Sequence, residues 1–264
     1  MGLMNKYLSF ARLTILIMKC DSYYPKTMKR SLIFIILVLA LLPLSLSART
    51  PGAWYVGVTG NYDYNMLMAQ RGYYIGTSYE PGHGFGVSIP VSYQVNEWFG
   101  IETGLGYVQK NYLWRKTIRN TNSVTELYEK QTNHFIEVPL SLCFSVGNES
   151  VSAIVSTGVY LGFWAASYRE GLPYHSSSGI GGEGMADAYR TLYSFSESDN
   201  RFEFGFLFRS GFEITLDPFV LFMRGSYNIS VTDLSKTYQL FQIGRYNSTI
   251  TAEIGALYRF GDAK

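Results

Sequence analysis

The residues in this chain that could do chemistry are few, and their spacing narrows what they could do. Three histidines are present, His83, His134 and His175. None sits in an HExxH motif or beside a second set of ligands at helical spacing, so a zinc centre has no donor set. His134 has Glu137 three residues on and serines close by. Ser–His–acid catalysis depends on convergence in space, however, and nothing marks one serine as a nucleophile. The run from Ser178 to Gly184 reads SGIGGEG. It lacks the Lys-Ser/Thr of a phosphate cradle and follows no buried strand, so it is read as a loop tip. Of the two cysteines, Cys20 falls in a leader and Cys143 is left alone, which excludes an intramolecular disulfide. Cys143 is read as a small packed side chain. No catalytic, metal-binding or cofactor-binding residue is assigned, and no cofactor is implied.

What the spacing does offer is ion pairing. Glu102, Glu137, Glu203, Arg209, Glu213, Arg224, Glu253 and Arg259 each stand on the polar side of a stretch in which apolar and polar residues alternate. Charges on such faces, once enclosed, must find one another, because a lone buried charge costs several kcal/mol. Residues 201–216, RFEFGFLFRSGFEITL, show the pattern most cleanly. Phe202, Phe204, Phe206, Phe208, Phe212, Ile214 and Leu216 share one side; Arg201, Glu203, Gly205, Arg209, Gly211 and Glu213 share the other. Successive side chains of a strand point to opposite faces, so this is a strand with one apolar face. Residues 135–146 and 151–165 repeat it.

The elements that must position these charges are therefore strands. The alternation predicts eight, near 53–62, 83–96, 98–113, 132–147, 150–168, 200–216, 218–231 and 248–260. Three connections are tight: 96–98, 147–150 and 217–218. The others, near 63–82, 114–131, 169–199 and 232–247, are long and polar. Short and long alternate strictly, which is the pattern of an outer-membrane barrel with tight turns on one side and long loops on the other. Several strands exceed the 9–11 residues or so that cross hydrocarbon at a tilt, so some extend beyond the membrane. A hairpin within 172–199 would raise the count to ten. Gly100, Gly104, Gly106, Gly158, Gly162, Gly205, Gly211 and Gly255 lie on the polar faces and make room inside a narrow cylinder. Trp54, Trp98, Phe99, Phe219, Tyr258 and Phe260 fall at the short-turn end. Tyr107, Tyr112, Trp114, Phe163, Tyr168 and Phe202 fall toward the long loops, giving two interfacial belts.

Residues 29–48 read KRSLIFIILVLALLPLSLSA: a basic pair, an apolar run of 12 residues, a proline and small residues. That reads as a secretory signal peptide rather than an uncleaved membrane anchor, the alternative, which needs about 20 apolar residues. The chain divides into 1–27, a possible misassigned extension; 28–48, a signal peptide cleaved after Ser47 or Ala48; and 49–264, the barrel. Residues 49–264 hold 16 basic and 19 acidic residues, so no basic excess supports nucleic-acid binding.

The segment HFIEVPLSL from His134, then TGVYLG from Thr157, resembles the outer membrane protein beta-barrel domain family of small porin-like proteins. Residues 204–213 (FGFLFRSGFE), 224–228 (RGSYN) and 255–260 (GALYRF) fit its last three strands. The resemblance covers most of 53–260. It implies a closed antiparallel up-and-down transmembrane β-barrel in the outer membrane of a Gram-negative-type envelope, with no catalytic residues. The closing Ile254, Ala256, Tyr258 and Phe260 resemble the signal read by the barrel-assembly machinery, although Gly-Asp-Ala-Lys follows the final aromatic. The expected role is structural, anchoring or surface-interacting, with a lumen filled by side chains. Lipid and the assembly machinery are partners, together with an unidentified partner of the long loops. A narrow channel or ligand-binding barrel is the alternative, and a membrane-embedded lipid-modifying enzyme a further one. A soluble barrel with its apolar faces inward is the rival at the level of fold.

Overall fold

The computed structural model describes residues 49–69, 77–120, 123–148, 150–171, 174–178, 182–186, 189–236 and 244–261. The leader expected at 28–48, and the extension before it, lie outside the described residues. No helix occurs among the described residues; twelve antiparallel strands do. They are β1 (Trp54–Ala69), β2 (Thr77–Gln94), β3 (Phe99–Gln109), β4 (Tyr112–Asn120), β5 (Ser123–Gly147), β6 (Val151–Gly171), β7 (Tyr174–Ser178), β8 (Gly182–Ala186), β9 (Tyr189–Leu192), β10 (Phe202–Leu216), β11 (Phe219–Ser230) and β12 (Arg245–Phe260).

Eight of them form a closed ring. β1 pairs β2, β2 pairs β3, β3 pairs β5, and β5 pairs β6. β6 pairs β10, β10 pairs β11, β11 pairs β12, and β12 returns to β1 with Trp54 opposite Phe260. Closure leaves no free edge at membrane depth, the condition a sheet must meet in lipid.

The three tight turns fall where the sequence placed them. In the first, the Asn96 side chain accepts from the amides of Trp98 and Phe99; in the second, Asn148 accepts from those of Ser150 and Val151. Such self-bonding Asx turns reverse a chain in very few residues.

At the other end the strands run further than the alternation suggested. β1 continues to Ala69 and β2 begins at Thr77, so most of the loop expected at 63–82 is strand. The loop expected at 114–131 is a hairpin of β4 and the start of β5. β4 continues β3 past a kink at Lys110–Asn111: its register with β5 is unchanged, while that with β2 slips by one residue. A hairpin does lie within 172–199, formed by β7 and β8. It adds to the edge of β5 above the ring rather than entering it, so the ring stays at eight.

The faces are decided by exposure. Phe202 is 70% exposed and Phe208 52%, whereas Glu203 and Glu213 are 2% and 1% exposed. The greasy side of the cylinder is outside and its charges are inside. In water this would waste the hydrophobic effect; in a bilayer the outer face meets hydrocarbon instead. The inward side chains fit because glycines stand opposite the large ones. Tyr160 faces Gly205, Glu203 faces Gly162, Leu207 faces Gly158, Ile154 faces Gly211, and Phe222 faces Gly255. A Cβ on Gly255 would come within 2.5 Å of the Phe222 ring.

Candidate functional site

Among the described residues the reactive groups converge in the lumen, and they do so in two tiers. The lower tier lies near the tight turns. Arg224 on β11 donates to both oxygens of Glu102 on β3, at 3.0 Å each, and to Glu213 on β10 at 2.9 Å. Arg209 on β10 donates to Glu102 at 2.8 Å and stands 3.5 Å from Glu253 on β12. Arg49, just before β1, hooks back into the cylinder and grips Glu213 in a fork, Nη2 at 2.6 Å and Nε at 2.9 Å. Three guanidinium groups thus meet three carboxylates. Bidentate contacts of this kind are the strong form of ion pair. A cavity of about 20 Å³ among Glu102, Arg209, Arg224 and Glu253 has room for one water.

The upper tier is built around Lys110 at the β3–β4 kink. Its ammonium lies 2.6 Å from Glu137 and bonds Glu203, beneath the Tyr160 ring at 4.6 Å. Tyr160 donates to Glu203 at 2.6 Å and Asn247 does so at 2.7 Å. Above these come amides and hydroxyls, Asn65 with Thr249, Asn133 with Ser167, and Ser167 with Gln131. An apolar cap of Leu67, Tyr112, Phe135, Trp164 and Leu234 follows, with Tyr193 and Phe195 packed on it. Burial and the Asp199 carboxylate hold the Tyr193 phenol above its ordinary pKa, so it stays a donor to Asp199.

Seven of the eight charges read from the sequence lie in these tiers. The eighth, Arg259, sits lower, at the mouth, donating to Asp217 at 2.7 Å and to Thr50 at 2.9 Å. Glu213 takes Arg224 as its partner; Arg209 goes to Glu102 and Glu253 instead. Three lumenal charges were not read: Arg49, Lys110 and Asp63. Lys110 continues the inward series Gly100, Glu102, Gly104 and Gly106, a signal that was available. Asp63 lies on the part of β1 taken for a loop and accepts from Thr251 and Asn61. Arg49 precedes any alternation and carried no signal.

The histidines and the glycine-rich stretch lie apart from the two tiers, whereas Cys143 faces the lumen between Ser141 and Ser145 on β5. His83 and His134 point outward at the upper edge of the apolar band; His134 Nδ1 is 2.5 Å from the Tyr107 hydroxyl, not beside a serine and an acid. His175 is on β7, and residues 179–181 of the glycine-rich stretch lie outside the described residues. Cys143 is buried and unpaired. Among the described residues no group of three His, Cys, Asp or Glu could hold a metal. Tyr112, expected in a belt, points inward, whereas Trp54, Trp98, Phe219, Tyr258 and Phe260 form an exposed ring at the tight-turn end. Ile254, Tyr258 and Phe260 face outward along the final strand.

Residues 46–236 match the model of a family described as outer membrane protein beta-barrel domain. Among solved structures, the chain is similar to the outer membrane protein OprG from Pseudomonas aeruginosa (12% identity, TM-score 0.43, covering 82% of this chain and 99% of that one). It is also similar to Ail, the attachment invasion locus protein of Yersinia pestis (15%, 0.36, 78% and 99%). Neisserial surface protein A is a third such structure (14%, 0.36, 79% and 99%). No curated protein matches the chain at a significant level.

Proposed function

Since the chain belongs to the outer membrane protein beta-barrel domain family, and so to the outer membrane of a Gram-negative-type envelope, we propose that it is a closed, side-chain-filled barrel whose work is done at its surface: anchoring and contact rather than transport or catalysis. One observation carries this reading. Both tiers of the lumen are buried and internally paired, and the aromatic cap lies above them. A solute moving through would have to separate Arg224 from Glu102, then Lys110 from Glu137 and Glu203. Each separation leaves charge unpaired in a narrow space, which costs several kcal/mol.

The long strands support the second half of the proposal. β4, β7, β8 and β9 raise a sheet above the membrane on one side of the ring, where it can meet other molecules. The outward-facing Ile254, Ala256, Tyr258 and Phe260 would be read by the barrel-assembly machinery, and cleavage after Ser47 or Ala48 would leave Arg49 within one residue of the new amino terminus. Planar-bilayer recording tests the main point. The purified barrel is expected to give no steady conductance; a stable ion current through single inserted barrels would favour the channel reading and refute this one.

A further inference from the structure

Every positively charged side chain of the two lumenal tiers has a carboxylate partner, but two on the outer wall, and a third at the entry to β10, do not. Lys130 on β5, Arg190 on β9 and Arg201 before β10 make no ion pair among the described residues. They cluster on one side of the cylinder, where β6 lies between β5 and β9.

The clustering is built, not scattered. Across the outer wall runs a ladder of rings: Tyr107 stacks on His134 with centroids 5.8 Å apart, and His134 meets Tyr168 edge-on at 5.5 Å. The Arg190 guanidinium lies over Tyr168, 5.3 Å from its centroid. The Tyr107 hydroxyl bonds His134 and receives Gln109, so the ladder is tied to β3. Arg201 is held at the foot of this face by the carbonyls of Trp164 and Ala165, with its guanidinium over the rings of both Phe163 and Phe195. Directly below lie exposed Phe202 and Leu161, the top of the apolar band.

We propose that this face binds the phosphate-bearing saccharide headgroup of an outer-leaflet glycolipid, with the acyl chains against Phe202 and Leu161. Depth argues for a saccharide. Lys130 and Arg190 are in register with Glu170 between them, four residues above His134 on β5. At strand rise and tilt that is about 10 Å above the hydrocarbon edge. A phospholipid headgroup layer is only about 5–7 Å deep per leaflet, so a ligand that touches Arg201 and Arg190 together must be thicker. The chemistry argues the same way. Guanidinium groups suit phosphate, and amphipathic rings suit the interface, with an apolar face and a polar edge for a sugar. Glu170 offsets one charge of the three, leaving a positive face toward an anionic leaflet.

The inference rests on the barrel standing in an outer membrane, which separation of inner and outer membranes checks independently. The test is native mass spectrometry of the full barrel released from nanodiscs. Three lipids are compared: a phosphorylated lipid A-type glycolipid, the same lipid after phosphatase treatment, and phosphatidylglycerol. The folded barrel is expected to retain the phosphorylated glycolipid above both others. Lys130→Gln and Arg190→Gln should each weaken retention about fivefold, and the pair about twenty-five-fold. Lys236→Gln, which removes an exposed charge elsewhere, should change nothing. Both substituted side chains are exposed and lack ion-pair partners, so gel mobility should stay that of the folded form. Should a variant fail to fold, a fall in retention by the unmodified barrel as salt rises serves in its place. Equal retention of the dephosphorylated lipid, equal retention of phosphatidylglycerol, or an unchanged double variant would each overturn the proposal.

Discussion

Replacing Glu213 by Gln tests the lower tier most sharply. The carboxylate is almost fully buried and bridges two guanidinium groups, Arg49 in a fork and Arg224 at 2.9 Å. Glutamine keeps the volume and one acceptor oxygen but removes the charge. Arg224 retains both of its bonds to Glu102. Among the described residues Arg49 has no second carboxylate in ion-pair reach; Ser92, at 3.4 Å, and the Tyr55 ring, 4.9 Å from the guanidinium, remain. Breaking a buried pair from one side costs about 3–5 kcal/mol. Arg49 borders an open cavity of about 430 Å³ at the mouth, lined by Thr50, Tyr55, Asp217 and Arg259, where it can regain water. The low end, about 3 kcal/mol, is therefore expected. Arg49→Gln alone should cost less, about 1–2 kcal/mol, because Glu213 keeps Arg224. The two changes together should cost less than their sum by at least about 1 kcal/mol, since the second removes what the first left stranded. Equilibrium urea unfolding in lipid vesicles, followed by tryptophan fluorescence, supplies all three numbers. A loss below about 1 kcal/mol for Glu213→Gln, or additivity within about 0.5 kcal/mol, would refute the paired-tier argument.

Other perturbations follow from the same contacts. Lys110→Met leaves Glu137 and Glu203 facing each other without their shared cation, and the same unfolding assay should show a loss of about 3–5 kcal/mol. Adding Glu203→Gln to that variant should recover part of it. Gly255→Val drives a side chain into the Phe222 ring and the Val58 carbonyl; a cost of about 1–3 kcal/mol is expected, and Phe222→Ala in the same chain should relieve the part due to the ring, leaving the part due to the carbonyl. Deleting the final aromatic, Phe260→Ala, should slow assembly in cells more than it lowers the stability of refolded protein, as pulse-chase gel mobility against urea unfolding would show.

The barrel was legible because hydrocarbon enforces contrast. Where β10 crosses the bilayer, every second residue must be apolar, so Phe202 to Leu216 announce both strand and orientation. Above the bilayer both faces of the wall are wet or packed against polar neighbours. On β1, Asn61, Asp63 and Asn65 face inward while Tyr62, Tyr64 and Met66 face outward. The period of two persists, but the polarity difference that reveals it fades, so 63–69 read as loop. The same fading hid β4. The lumenal charges were legible from strand parity alone, which a lumen of this width turns into proximity. Their partners were not, because Glu102 and Arg224 stand 122 residues apart and meet only once the ring closes. Arg49 lay beyond any pattern: its place is set by a turn at Pro51–Gly52, where Gly52 adopts φ +75, and by Glu213 waiting across the mouth. The ring ladder from Tyr107 to Arg190 was equally hidden, since it joins four strands through single residues.

Which way the faces look decides all of this. Nitroxide labels placed one at a time, in a Cys143→Ser chain reconstituted in bilayers, read it directly by their accessibility to oxygen dissolved in lipid. Labels at Phe206, Phe208 and Val155 should be strongly accessible, and labels at Leu207 and Ile154 shielded, alternating residue by residue. The opposite alternation, with the phenylalanine positions shielded and Leu207 and Ile154 open, would contradict the account.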